Sequence, residues 1–222
     1  MTDGQVACVC LQCRMALRRP PAPRCPRCDH PARFAIDGCP GCEVLPDILV
    51  AVRSAVVLDF PAGDLIHALK YEGWGGVAEP LVQRMIPLVP SDAVAVVPVP
   101  SPPGRVRRRG YNPAAVLAQN MAEFLEIPCV DALLRPLESR RQVGLSPAER
   151  AANVRGVFAP APGASGAVRG AHIVLVDDVL TTGATASEAA LTLQEAGATA
   201  VTLVTFARAV PALPGQRDAS SP

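Results

Sequence analysis

The chain has 222 residues, half of them hydrophobic and only 18% charged, enough apolar material for a core in one main domain plus a small accessory module. Aromatic residues make up 4%, which argues against the stacking platform of single-strand binders, and a net charge of +1 gives no global pull toward nucleic acid. No stretch approaches the roughly 20 apolar residues of a membrane span, and the start MTDGQVACVC lacks a basic region followed by an apolar run, so a soluble cytoplasmic protein without a signal peptide is expected.

Residues 1–45 are Pro-rich and Cys-rich, with no helical or strand period longer than a few residues. They cannot bury much apolar surface, so a cross-link must order them. Seven of the eight cysteines lie between positions 8 and 42, which in a reducing compartment favours a metal over disulfides. Three Cys-x-x-Cys knuckles are present: Cys10/Cys13, Cys25/Cys28 and Cys39/Cys42. Two of them make one tetrahedral zinc site of four thiolates. The spacing allows either 10/13 with 25/28 or 25/28 with 39/42, and Cys8 with His30 is a candidate for a second site.

From residue 48 the pattern changes, and a second unit is expected over 46–210, followed by a disordered tail at 211–222. ILVAVRSAVVLDF reads as β structure, GDLIHALKYEG and AEPLVQRMIPLV as helices, and AVAVVPVP as a buried strand stopped by prolines. Residues 105–110 read as a basic, mobile loop. Asn112 before Pro113 is an N-cap with proline at the first helical position, and Ser146 with Glu149 forms a capping box for a further helix. Cys129 reads as a buried core residue, and residues 159–171 as a Pro/Gly/Ala linker or hairpin. Next come the strand HIVLVDD, the helix ASEAALTLQEA closed by Gly197, and the strand AVTLVTFA. Strands alternating with helices predict an α/β fold with a mainly parallel sheet flanked by helices, carrying the Cys-rich zinc module at its N-terminal end.

The segment 173–187, IVLVDDVLTTGATAS, carries the sharpest chemistry. A continuous apolar run, Ile173 to Val176, reads as a strand buried on both faces, and Asp177 and Asp178 follow at its carboxyl end, where α/β sheets bind ligands. Adjacent strand residues point to opposite faces, so both carboxylates serve one ligand only if the chain is leaving the sheet there. Val179, Thr181, Thr182, Gly183, Ala184 and Thr185 then offer hydroxyls and backbone N–H groups that run into a helix N-terminus, which favours a phosphate. Carboxylates for ribose hydroxyls and N–H and O–H donors for a monoester phosphate make a sugar-phosphate cradle. It is neither a Walker loop nor a Rossmann fingerprint, since no Gly-Lys-Ser/Thr and no G-x-G-x-x-G occurs in it.

This segment resembles the phosphoribosyl diphosphate (PRPP) motif of type I phosphoribosyltransferases. The ordered set of Cys-rich head, LIHALKYEG, VVPVPSPPGRVRRRGYN and RRQVGLSPAERAANVRGVF resembles the competence-associated ComF family over nearly the whole chain. Two positions depart from the family pattern: Pro113 stands where Gln is usual, and Ser139 where Thr is frequent. The resemblance implies a type I phosphoribosyltransferase-like domain that binds PRPP with magnesium, Asp177 and Asp178 being its catalytic pair. It implies a diphosphate loop at 97–101 in which the prolines remove donors and Ser101 and Gly104 carry much of the contact, a plain Pro-terminated edge loop being the alternative. Lys70 matches a family position and is expected to reach the diphosphate, an exposed helix-end lysine being the alternative. Arg107 and Arg109, with Arg105 and Arg108, are expected to bind diphosphate, close over the substrate or attract a nucleic-acid backbone, against the plain alternative of a solvated loop. Arg140, Arg141 and Gln142 open the following block, in which Arg150 and Asn153 read as structural. Two functions follow from the resemblance: transfer of a phosphoribosyl group to an unknown acceptor, or non-catalytic PRPP binding in DNA uptake through single-stranded DNA or uptake proteins. No glutamine-hydrolysing domain is expected, because the chain opens Met-Thr-Asp.

Overall fold

A computed structural model describes residues 9–31, 39–71, 75–136 and 156–210. Its centre is a four-stranded, all-parallel sheet built from β1 (Leu49–Val57), β2 (Ala95–Pro98), β5 (His172–Leu180) and β6 (Ala200–Arg208), in the order β1–β6–β5–β2. The strands are Val-rich because both faces of the sheet are covered. Along β5 the side chains alternate between two cores. Ile173 and Leu175 belong to one, Val174 and Val176 to the other.

The Val174 side is covered by α2 (Ala62–Tyr71), α3 (Ala78–Met85) and α5 (Pro113–Leu125), which contribute Ile66, Leu69, Leu81, Met85, Leu117 and Met121. The Ile173 side is covered by α7 (Ala184–Glu195), through Ala189, Ala190 and Leu193, and by the small antiparallel pair β3 (Leu133–Leu134) and β4 (Ala159–Pro160) with the one-turn helix α6 (Ala164–Val168). A short helix α1 (Leu11–Ala16) precedes the sheet. Helix α5 begins as expected, with the Asn112 side chain accepting from the Ala114 N–H and Pro113 at its first position.

Three segments differ from expectation. Residues 105–110 are not a loop: 105–109 lie in helix α4 (Pro103–Arg109), because Pro103 pre-sets the helical φ, the Arg105 and Val106 N–H groups both reach the Pro102 carbonyl, and Gly110 closes the helix at φ +90°. The span 159–171 is not a plain linker, since β4 and α6 occupy most of it. Cys129 is exposed and not core: it sits where the chain leaving α5 forms a single parallel bridge to Val96, which uses its backbone and turns its side chain outward. The Ser146 capping box, the 140–155 block with Arg140, Arg141, Gln142, Arg150 and Asn153, Ser139, Cys8 and the expected tail at 211–222 lie outside the described residues.

Candidate functional site

Strand β2 stops pairing at Pro98 opposite Val176, with one further bond from the Val99 N–H to the Val176 carbonyl, whereas β6 stays paired with β5 through Leu180 opposite Arg208. Beyond Val176 the β2-facing edge of β5 is therefore open, and Asp177 and Asp178 stand on it. The loop 181–183 follows, its Thr181 and Thr182 exposed. Gly183, at φ +83°, turns the chain into α7, a backbone state that favours glycine. The Thr182 hydroxyl lies 3.5 Å from the Ala184 N–H. Helix N-termini leave their first N–H groups without intrahelical partners, so α7 presents donors to whatever the loop encloses. A cleft of about 40 Å³ is lined here by Asp177, Val179, Thr181, Thr182, Gly183 and Thr185.

The two carboxylates diverge. The strand continues past them, so Asp177 shares a face with Leu175 and Asp178 a face with Val176. Lys70, at the end of α2 on the Val176 side, places Nζ 2.9 Å from Asp178 Oδ1 and balances its charge. Asp177 has no such partner among the described residues; its Oδ1 accepts from the Asp178 N–H at 2.8 Å. Burial and the Asp178 charge push the Asp177 carboxyl up to about 7, against the opposing pull of that N–H, Lys70 and Arg135. Arg135 is a residue that the motif reading passed over. It follows β3, its guanidinium lies 5.3 Å over the Phe158 ring, Nη1 is 3.4 Å from the Pro100 carbonyl, and Nε is buried without a partner among the described residues.

The cysteine head resolves the pairing of knuckles. The Sγ atoms of Cys25, Cys28, Cys39 and Cys42 all lie within 4.8 Å of one another, with 3.5 Å between Cys25 and Cys42 and between Cys28 and Cys39. Four thiolates around zinc at about 2.3 Å stand roughly 3.8 Å apart, so this set can hold a metal ion and is consistent with zinc. Burial pushes the Cys28 thiol up. At Cys25 burial acts in the same direction but is outweighed by the N–H groups of Cys28 and Arg27 and the Cys42 and Cys28 thiols, which bring it down to about 7. Cys10 and Cys13 are not brought to this cluster: Cys10 caps α1, its Sγ accepting from the Cys13 N–H at 3.3 Å. The knuckle is bonded to the body. The Val52 N–H reaches the Arg27 carbonyl at 2.8 Å, the Arg208 guanidinium the Cys28 carbonyl at 3.1 Å, and the Ser187 hydroxyl the Val44 carbonyl at 3.3 Å.

Comparison with known proteins matches residues 106–219 to the phosphoribosyl transferase domain. Competence protein F of Haemophilus influenzae is 28% identical over 200 residues, 84% of this chain and 85% of that protein. The DNA utilization protein YhgH of Escherichia coli K12 is 31% identical over 207 residues, 87% of each chain. The chain belongs to the ComF family of phosphoribosyltransferase-domain proteins. Among solved structures, this ComF-family chain matches an allosteric regulatory enzyme of purine biosynthesis at 26% identity and TM-score 0.39, covering 58% of this chain and 25% of that one.

In this ComF-family protein Asp177 joins the loop residues in the cleft at the carboxyl end of β5, while Asp178 with Lys70 lies on the other face of the strand. Ser101 lies on the chain between β2 and α4, and its hydroxyl donates to Asn112 Oδ1 at 2.8 Å, so the α5 cap holds it in place. Arg109 is half-buried, its guanidinium 4.9 Å over the Tyr71 ring next to Lys70, while Arg105, Arg107 and Arg108 are exposed on α4. Arg135 carried no local signal, because only the β3–β4 pairing and the 97–101 turn bring it toward Asp177. Arg208 carried none either; it sits at the end of an apolar strand, where a single arginine resembles a strand boundary. No helix among the described residues is long and apolar enough to cross a membrane.

Proposed function

We propose that this chain binds Mg–PRPP on the β5–loop–α7 unit and transfers its phosphoribosyl group to an acceptor, releasing diphosphate. The observation that supports this most is the cleft that Asp177 lines together with the threonine hydroxyls and the Gly183 turn at the start of α7. The 5′-phosphate would take the loop donors, and Asp177 would accept from a ribose hydroxyl. The acceptor's lone pair forms a bond to the anomeric carbon as the carbon–oxygen bond to diphosphate breaks; that electron pair leaves with diphosphate, and the acceptor's proton passes to solvent. The chain contributes position and fixed charge, with Lys70, Ser101, Arg107, Arg109 and Arg135 around the leaving-group side. Magnesium fits the hard oxygen donors at this edge, and when bound it neutralises charge on the diphosphate. Structural zinc on Cys25, Cys28, Cys39 and Cys42 completes the reading.

Calorimetric titration of the full chain with PRPP and magnesium tests the first step, and diphosphate release with candidate acceptors tests the second. Binding that Thr182→Val weakens by about tenfold or more supports the site; no heat with PRPP would remove it. The exposed Arg105, Arg107 and Arg108 and the relatives' names favour a second reading, a role in DNA uptake through single-stranded DNA or uptake proteins. That reading requires single-strand binding that falls steeply with salt and weakens in Arg107→Ala.

A further inference from the structure

The Cys10/Cys13 knuckle stands outside the four-thiol cluster. Among the described residues, no group of three or more His, Cys, Asp or Glu side chains placed to hold a metal includes either cysteine. Both lie instead on the first turn of α1. The Cys10 carbonyl accepts from the Arg14 N–H at 3.0 Å, and Cys10 Sγ accepts from the Cys13 N–H at 3.3 Å. Residues three apart on a helical turn have Cα atoms about 5 Å apart, inside the ~4.4–6.8 Å that disulfides span. The backbone on either side is held: Arg14 Nε donates to the Val9 carbonyl at 3.0 Å, and the Arg84 guanidinium to the Arg14 carbonyl at 2.7 Å. The two sulfurs are not equivalent. Cys10 is exposed, whereas Cys13 is half-buried and packs against the core that α2 and α3 also line. The Cys13 N–H and thiol draw the Cys10 thiol down, while the Cys10 thiol, burial and Asp64 push Cys13 up. An accessible sulfur that favours the thiolate, beside a sheltered one that keeps its proton, suits exchange with an external disulfide.

We propose that Cys10 and Cys13 form a thiol–disulfide exchange site whose co-substrate is a small disulfide of the glutathione type. Cys10, its proton lost to solvent, attacks one sulfur of that disulfide. The small molecule's S–S bond breaks, its electron pair leaves with a thiolate that takes up a proton, and a mixed disulfide stands on Cys10. The Cys13 thiol then gives its proton to solvent and attacks Cys10 Sγ, closing the Cys10–Cys13 bond and expelling the second thiolate. Two protein thiols are oxidised and one small disulfide is reduced to two thiols. Excess small thiol runs the same steps backward. The site is separate from the phosphate loop, so it stands whether or not PRPP binds.

The test equilibrates the zinc-loaded full chain at graded ratios of reduced to oxidised glutathione, followed by acid quench, alkylation, tryptic cleavage and fragmentation of the peptide 1–14. That peptide also carries Cys8, so Cys8→Ser is run beside the wild type. In both chains the Cys10–Cys13 linkage should form as oxidised glutathione rises and reverse with excess reduced glutathione, while the zinc of the four-thiol cluster stays bound. In the Cys8→Ser background, Cys13→Ser should trap glutathione on Cys10 at least about tenfold faster than Cys10→Ser traps it on Cys13. Serine at position 10 keeps an N-cap oxygen for α1. Should either trapping variant fail to fold, the linkage in Cys8→Ser still decides. The proposal is overturned by no Cys10–Cys13 linkage at any ratio, by a linkage that runs to Cys8 instead, by equal trapping at the two positions, or by a second equivalent of zinc that Cys10→Ser removes.

Discussion

At the residue scale, Asp177 and Asp178 are neighbours in sequence with different environments. Asp178 is paired with Lys70, whereas Asp177 is raised to about 7 by burial and by the Asp178 charge. Its unfolded value is about 3.9, so between these values the folded chain holds a proton that the unfolded chain has released. The stability from this group is full below about pH 4 and is lost as pH rises through about 7. Asp177→Asn should flatten that part of the pH dependence of urea midpoints; an unchanged slope would remove the assignment. A ligand hydroxyl that donates to ionised Asp177 should also bind more tightly toward pH 8 than at pH 6. Lys70→Met leaves Asp178 without its counter-charge. With Lys70 24% exposed, the cost should fall somewhat below the fully buried range, at roughly 2–3 kcal/mol by chemical denaturation. Part of it should return in Lys70→Met/Asp178→Asn, and a neutral single variant would show that the pair carries no weight.

At the element scale, the strand–loop–helix unit depends on one backbone angle. Gly183 sits at φ +83°, and a Cβ placed there would lie 3.3 Å from Leu45 Cδ2 of the cysteine head. Gly183→Ala therefore meets both a disfavoured conformation and a close neighbour, with an expected cost of about 1–2 kcal/mol. The same change should lower Mg–PRPP affinity, because the first turn of α7 shifts with the loop. Wild-type affinity in a folded Gly183→Ala chain would show that the loop does not hold the phosphate. Asn112 has a comparable place in the other loop: its side chain caps α5, donates to the Val99 carbonyl and receives the Ser101 hydroxyl. A single N-cap thus fixes the turn that faces the open edge of β5.

At the scale of the whole molecule, the cysteine knuckle acts as a buttress. Leu45 lies against Gly183, the Val44 carbonyl receives the Ser187 hydroxyl, and Arg208 and Val52 hold the backbone around Cys28. Metal removal should consequently be felt at the phosphate loop. Chelation is expected to lower the thermal midpoint by several degrees, since about 2 kcal/mol shifts a chain of this size by roughly 4–8 °C. PRPP affinity should fall in parallel. Cys28→Ser should reproduce both effects and Cys10→Ser neither, because Cys10 stands outside the four-thiol cluster. Equal effects of the two substitutions would contradict that ligand set.

The sequence alone determined the chemistry-bearing pieces: the apolar run ending in Asp177 and Asp178, the threonine-rich turn with Gly183, the Asn112–Pro113 helix start, and the Cys-x-x-Cys knuckles. These are legible because each depends on contacts within a few residues, where spacing and conformational preference suffice. Tertiary structure decided what those pieces meet. It chose the 25/28 with 39/42 pairing, set Lys70 against Asp178, kept β5 in the sheet so that the two carboxylates part, and drew Arg135 toward the site from far along the chain. It also left Arg208 Nε without a partner among the described residues, beside a cavity where the knuckle meets the sheet. Such contacts are fixed by packing between segments distant in sequence, and local pattern carries no record of them.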